Sequence, residues 1–488
     1  MMRYVRSFLM ILGLILGVNA NAQKLILGEL FNEGAVLQQN KSVDIWGNAN
    51  PNETVSISIL GIQAKAKCDS SGKWETTIPA LKSGGPYTLT AATSKDTICI
   101  HEIYVGEVWI AGGQSNMALP LEKTTDGPNE IAKATNQNIH FVSVPFRMNQ
   151  NKKGSLKWKK AISENVGSMS GVAYYFTKKL QENLNVPIGI VCCYKGGTPA
   201  ESWMSREKLL SDPESEPIVR TYENDLEAAS AKNDSQFVER NYKSPYNLYE
   251  CMLKRIIPYT AKGIIWYQGE ANATRAEQYR TLFPSLIDEW RHDFKNATMP
   301  FLFVQLPSYD HPSYGDRPIW AELRESQLLT WQKDKNTAMA VTMDVGDKNT
   351  IHPTNKEPVG KRLASCALKK VYGMDVPYSG PVFQKAEFGK KEVVLSFDFV
   401  YDGLRSEGAL KGFTICGKDK QFKPAQAIIR NRQVVVFDDS LEDPIAVRYN
   451  WSNWGEGNLF NLAGFPATPF RTDNFELLTT GVKTIKYQ

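Results

Sequence analysis

Between about Tyr104 and Val376 the chain repeats one texture, a short continuous apolar run followed by an amphipathic stretch with helical period. The runs are VWIAG (108–112), IHFVSVP (139–145), PIGIVCCY (187–194), GIIWYQG (263–269), FLFVQLP (301–307) and AMAVTMD (338–344). Between several of them lie VAYYFTKKLQENL, AEQYRTLFPSLIDEWRHDF, AELRESQLLTWQK and VGKRLASCALKKVYG. Continuously apolar strands separated by helices belong to a parallel sheet covered on both faces. The sequence therefore predicts an α/β domain, and in such sheets the reactive groups gather at the carboxyl ends of the strands.

Both flanks read differently. From Lys24 to about Ile103, the stretches SVDIWG, ETVSISILG, KWETTIP and YTLTAA alternate with period two and are broken by NPN, DSSG and SGG. That pattern predicts a small antiparallel sandwich without obvious chemistry. From about Pro377, VVLSFDFV, GFTICG, QVVVFDD and AVRYNW return to strand and turn, predicting a second all-β module that closes near GFPATPFRTD. Trp451, Trp454 and Phe460 lie there, and core or interdomain packing explains them better than a sugar-binding face. The expected organisation is a β-sandwich at 23–103, an α/β domain at 104–376 and a β module at 377–488, in keeping with a chain of 488 residues, too long for one core.

Residues 1–22 stand apart. Arg3 and Arg6 precede an apolar stretch from Phe8 to Val18 and then Ala20-Asn21-Ala22, which reads as a secretory signal peptide cut after Ala22. The apolar run is shorter than the ~20 residues a bilayer requires. The expected protein is exported, periplasmic or extracellular, with no membrane anchor. Its formal net charge of +5 is spread without a Lys/Arg block, which excludes a nucleic-acid footprint. Seven cysteines are too few and scattered for a disulfide framework, and Cys192-Cys193 inside an apolar run reads as core filling. No CxxC, HExxH or clustered His/Asp set suggests a metal, and no cofactor is expected. A small soluble substrate fits best.

The loops after the strands carry the chemistry. GGQSNM (112–117) leaves the first run through two glycines and sets Ser115 where a helix can begin. A serine there faces the cleft together with the backbone N–H groups that follow it, which can stabilise an oxyanion; the plainer alternative is a helix cap. A serine nucleophile needs a base, and the chain holds five histidines, His101, His140, His292, His311 and His352. His140 lies in a strand, His292 in a helix and His101 in the β-module. His311 occupies a loop and competes weakly with His352, whose loop follows the last strand and is stiffened by Pro353 and the helix beyond. Two more loops complete a candidate oxyanion site. Gly196-Gly197-Thr198 lets a backbone N–H approach a reacting carbonyl oxygen, and Asn272, in Gln268-Gly269-Glu270-Ala271-Asn272, offers a side-chain amide.

GQSNM around Ser115, GGTPAESW around Gly197, IIWYQGEANA around Asn272 and IHP around His352 together resemble the sialate O-acetylesterase-like branch of the SGNH hydrolases, in order and spacing from about residue 104 to 365. GAVLQQ, VDIWGNANP, VRYNW and PATPFRTD extend the resemblance over nearly the whole mature chain. It implies an SGNH-type, flavodoxin-like sheet and a carbohydrate O-acetylesterase with Ser115 as nucleophile and His352 as general base. The oxyanion hole it implies comprises the N–H of Ser115, the N–H of Gly197 and the Asn272 side chain, with Gly196 the alternative glycine donor. One position departs: many SGNH enzymes carry Asp three residues before the histidine, and here it is Asn349. The imidazole is left to Asp347, Glu270 or a backbone carbonyl for orientation.

The substrate implied is an O-acetylated sugar, 9-O-acetyl sialic acid first and acetylated xylan or another polysaccharide second. A sialic acid carboxylate would call for a cation such as Lys195 or Arg206, while Trp109, Trp203 and Trp266 are expected to be buried before they serve as a sugar platform. A carbohydrate-binding protein built round an inactive core is the competing class. A lipase or peptidase lacks support, because no GxSxG elbow surrounds Ser115.

Overall fold

The computed structural model describes residues 24–147, 156–234 and 241–484. The expected signal peptide at 1–22 lies outside the described residues.

All six apolar runs form strands of one sheet. Their order is Thr135–Ser143, Ile188–Tyr194, Thr97–Gly113, Gly263–Tyr267, Phe301–Val304 and Thr337–Ala340, every neighbour parallel. A short strand, Lys159–Ile162, closes one edge antiparallel to Thr135–Ser143. Within this order the last five strands follow the flavodoxin-like sequence 2-1-3-4-5, as expected for an SGNH-type core. The chain builds on one side of Thr97–Gly113 with Ile188–Tyr194 and on the other with Gly263–Tyr267. That reversal opens a crevice at the carboxyl ends of the three strands.

Helices cover both faces because the strands offer no polar side. Gly171–Leu184 packs with Glu357–Lys370, and Ala276–Asp293 packs with Ile319–Lys333. Trp109 turns toward the first pair and meets Phe176 edge-on at 5.0 Å, whereas Trp266 turns the other way onto Trp290 at 5.4 Å. Each indole lies over a glycine of the neighbouring strand: a Cβ on Gly263 would come within 2.6 Å of the Trp109 ring, and one on Gly112 within 2.7 Å of Trp266. Trp109, Trp203 and Trp266 are all 0% exposed, so they form core and offer no sugar platform.

Thr97–Gly113 is a single strand of 17 residues. Its first half pairs with Gly84–Ala92 and Val36–Gln38 of the amino-terminal β region, and its second half sits in the parallel sheet. The boundary expected at 103/104 therefore falls inside a strand, and the buried apolar side chains from Leu25 to Val382 form one cluster. The carboxyl-terminal region has a cluster of its own beneath two four-stranded sheets and a two-stranded one. Its loop at 450–457 docks on the α/β region, with Asn453 accepting from the Trp320 N–H at 3.0 Å and donating to the Gly315 and Arg317 carbonyls at 2.9 Å each. Trp451, half-buried, lies under the guanidinium of Arg471 at 5.1 Å. All seven cysteines are free, with Cys192 and Cys193 buried in Ile188–Tyr194. No described helix is long and apolar enough to cross a membrane.

Trp290 touches the rings of Trp203, Trp266 and Phe301 and donates to the Trp203 carbonyl at 3.0 Å. Trp290→Ala is expected to lower the unfolding free energy by about 3–5 kcal/mol, read from urea denaturation.

Candidate active site

Three strands end at one level. Gly113 is paired with Tyr194 on one side and Tyr267 on the other, so the loops that follow leave the sheet together. At Gly113, with φ +127°, a Cβ would stand 2.2 Å from the Tyr267 carbonyl oxygen; only glycine lets the chain turn out so close to its neighbour. Gln114 then donates its N–H to that carbonyl at 2.9 Å, and Ser115 opens a one-turn helix, Ser115–Ala118. The Gln114 side chain is no cap. Its oxygen accepts from the Ala271 N–H at 3.3 Å, tying the serine turn to the 268–275 loop.

Ser115 Oγ and His352 Nε2 lie 2.8 Å apart, brought together across 237 residues. With the proton on Nδ1, the hydroxyl donates to the imidazole. The histidine loop is shaped by Asp347, whose carboxylate accepts from the N–H groups of Asn349 at 2.8 Å and Thr350 at 3.2 Å. Thr350 Oγ1 accepts from the His352 N–H at 3.1 Å. Asp347 thus turns the loop, while Glu270 accepts from Asn116 with one oxygen and its other oxygen is buried without a hydrogen-bond partner; neither carboxylate bonds to the imidazole. Partial burial, and then the charge of Lys356, hold the imidazole below its ordinary range.

Asn116 and Lys356 build the ground beneath the pair. Lys356, 1% exposed, donates from Nζ to Asn116 Oδ1 at 2.6 Å. Asn116 Nδ2 donates to Glu270 at 2.6 Å and to the Ile351 carbonyl at 2.9 Å. Burial pushes the Lys356 ammonium down to about 7, with Glu270 pulling it back up, and burial raises the Glu270 carboxyl.

The Gly196-Gly197 turn lies against the serine. A Cβ on Gly196 would be 3.4 Å from Ser115 Cβ, while Gly197 adopts φ +72°. Among the described residues neither the Ser115 nor the Gly197 N–H has a protein acceptor, and both residues line a cleft of about 470 Å³ with His352. Asn272 does not line that cleft. It is 1% exposed, with Oδ1 accepting from the Ala200 N–H at 2.9 Å and Nδ2 donating to Glu201 at 2.9 Å. One N–H of its amide remains. Glu201 also pairs with Arg275, both fully buried, which locks the 196–203 segment to the 268–275 loop.

The remaining candidates separate cleanly. His311 also lines the cleft, stacked on Tyr314 at 3.8 Å, but His352 is the histidine that meets Ser115. His140 is buried, which pushes its imidazole down to about 4. His101 and His292 are exposed. Arg206 is engaged by Glu223 at 2.7 and 3.2 Å. Lys195 lies 5.0 Å over the Tyr242 ring, and Lys243, which no sequence pattern marks, stands exposed on the cleft rim. Gln114, Asn116 and Glu201 sit inside the recognised motifs, yet only their contacts reveal what they do. No group of three His, Cys, Asp or Glu among the described residues is placed to hold a metal ion. A hydroxyl bonded to an imidazole beside unengaged backbone N–H groups can perform acyl transfer through a covalent intermediate.

Comparison with known proteins points the same way. The family described as carbohydrate esterase, sialic acid-specific acetylesterase, matches residues 105–369. The sialate O-acetylesterase of Mus musculus is 29% identical over 86% of this chain and 88% of its own, and that of Homo sapiens 28% identical over 87% of each. The crystal structure of a carbohydrate acetylesterase from Xanthomonas citri is 36% identical, covers 92% of this chain and 100% of its own, and superposes with a TM-score of 0.82.

Removing Glu201 leaves the fully buried Arg275 without its counter-charge. Glu201→Ala is expected to cost about 3–5 kcal/mol, measured as a fall in the urea midpoint.

Proposed function

Because the chain belongs to the carbohydrate esterase family of sialic acid-specific acetylesterases, and is a carboxylic ester hydrolase, we propose that it removes O-acetyl groups from sialic acid through an acetyl-serine intermediate at Ser115. The observation that carries this reading is the 2.8 Å contact between Ser115 Oγ and His352 Nε2 in an open cleft. His352 takes the hydroxyl proton as the oxygen attacks the acetyl carbon. Negative charge on the carbonyl oxygen is met by the N–H groups of Ser115 and Gly197 and by the remaining amide N–H of Asn272. The bond to the sugar oxygen then breaks, that oxygen takes the proton from His352, and the sugar leaves. Water attacks the acetyl-serine with His352 again accepting the proton, and acetate and free Ser115 result.

Lys243 on the rim and Lys195 beside it favour a substrate that carries a carboxylate, as sialic acid does and an unsubstituted xylose backbone does not. Arg206 is occupied by Glu223 and plays no part. The amino-terminal pattern of Arg3, Arg6, the apolar stretch from Phe8 to Val18 and Ala20-Asn21-Ala22 supports action outside the cytoplasm, in the periplasm or beyond.

Ser115→Ala is expected to lower acetate release by more than roughly 10³-fold, and Asn272→Ala by roughly 10²–10³-fold. An unchanged rate in Ser115→Ala would remove the nucleophile assignment. His352 serves as base only when neutral, and its environment lowers its affinity for a proton, so the acidic limb of kcat/KM is expected below pH 6.5. Acetate should be released faster from O-acetylated sialic acid than from acetylated xylan; the reverse order makes the protein a polysaccharide acetylesterase. Mass spectrometry of the exported protein should find Gln23 at its amino terminus.

A further inference from the structure

Among the described residues no carboxylate bonds to the imidazole of the Ser115–His352 pair, yet two loops 237 residues apart in sequence hold a 2.8 Å contact. Asn116 follows Ser115 and Ile351 precedes His352. The Asn116 amide nitrogen donates to the Ile351 carbonyl at 2.9 Å and to Glu270 at 2.6 Å, and its oxygen accepts from Lys356 at 2.6 Å. One planar amide thereby joins the serine turn, the histidine loop, the 268–275 loop and the residue just before the Glu357–Lys370 helix. Asn116 and Lys356 are each 1% exposed and Glu270 is 7% exposed, so water does not compete for these bonds.

We propose that Asn116 and Lys356 are positioning residues for the Ser115–His352 pair: Asn116 pins the two loops in register, and Lys356 sets a buried positive charge near the imidazole in place of the usual carboxylate. The proposal rests on the reading of Ser115 as nucleophile and His352 as base. In a Ser-His-Asp site the carboxylate orients the ring and stabilises the imidazolium. Here orientation falls to the pinned loop, and the charge acts in the opposite sense. Burial and Lys356 both disfavour the imidazolium, so the ring remains a free base to lower pH. Burial brings the Lys356 ammonium down to about 7 and Glu270 offsets part of that cost, so Lys356 carries its charge over the acidic range in which His352 titrates. The other titratable groups around the imidazole are Asp347 on its own loop, Tyr242 and Lys243 on the segment at the rim, and His311 on the loop after Phe301–Val304. Asp347 is spent on two backbone N–H groups, and Lys243 and His311 reach the cleft from its rim rather than from beneath the pair.

The test uses the full mature chain, 4-nitrophenyl acetate as probe, and ring carbon NMR of the five histidines, with His352 identified by its absence in His352→Gln. Asn116→Ala is expected to lower kcat roughly 10²-fold with KM little changed, because the reacting groups lose register while the cleft remains. Asn116→Ser, which leaves a smaller void but cannot span both partners, should fall in the same direction and decides the point if the alanine variant does not fold. Lys356→Met combined with Glu270→Gln removes both charges together. It is expected to lower the plateau kcat in the same direction as the Asn116 variants, because Asn116 loses two of its three partners, and in addition to move the acidic limb to higher pH. In the unsubstituted protein His352 should titrate below the ordinary imidazole value of about 6.5. A wild-type kcat in both Asn116 variants would overturn the pin. An unmoved acidic limb, or a His352 titration at or above the ordinary value, would overturn the role of the ammonium. Failure of the underlying reading looks different: Ser115→Ala would then keep the wild-type rate, whatever the NMR titration shows.

Discussion

The parallel register that sets Tyr194, Gly113 and Tyr267 side by side is the constraint on which the site depends. Because the three strands stop at one level, the serine turn, the Gly196-Gly197 turn and the 268–275 loop all enter the same crevice. The register is maintained by packing as much as by ladder hydrogen bonds. Trp109 fits over Gly263 and Trp266 over Gly112, so a slip by one residue would drive each indole into a side chain or a backbone. Core packing within the sheet therefore decides where Ser115 stands.

Above that frame, buried charge does what regular structure cannot. Loops have no ladder to fix them, and here each is tied by polar side chains removed from water. Glu201 and Arg275 clamp the 196–203 segment to the 268–275 loop, with Asn272 held between. Lys356, Asn116 and Glu270 join the serine turn to the histidine loop. Burying such groups is costly, and the cost is offset only when every partner is in place. Each network is thus a geometric lock: displacement of any one loop leaves a charge or an amide buried without a partner.

Much of the fold was legible in the sequence because continuous apolar runs permit only a sheet covered on both faces, and the six runs became six parallel strands. The candidate site was legible in part. Ser115 and His352 stood out by residue type and by their place after strands, and the structure brings them to 2.8 Å. Asn272 is legible as an amide donor by type and place, but the contacts that orient it, one N–H to Glu201 and its oxygen to the Ala200 N–H, are ones that no spacing announces. Asp347 and Glu270 are the carboxylates that the sequence offers to the imidazole; in the structure one shapes its own loop and the other serves Asn116. The break expected at 103/104 was drawn where the pattern of alternation changes. A strand that belongs to one sheet in its first half and another in its second shows that change without ending.

By itself the sequence determined the layered α/β core, the all-β flanks, the residue types able to do acyl transfer and the family to which they belong, since hydrophobic period and short motifs are local properties. Tertiary structure alone decided which buried groups hold the serine and His352 together, that among the described residues no carboxylate bonds to the imidazole, and that a lysine stands near it instead. Those outcomes depend on where loops distant in the chain come to rest, and on which buried groups must satisfy one another once water is gone.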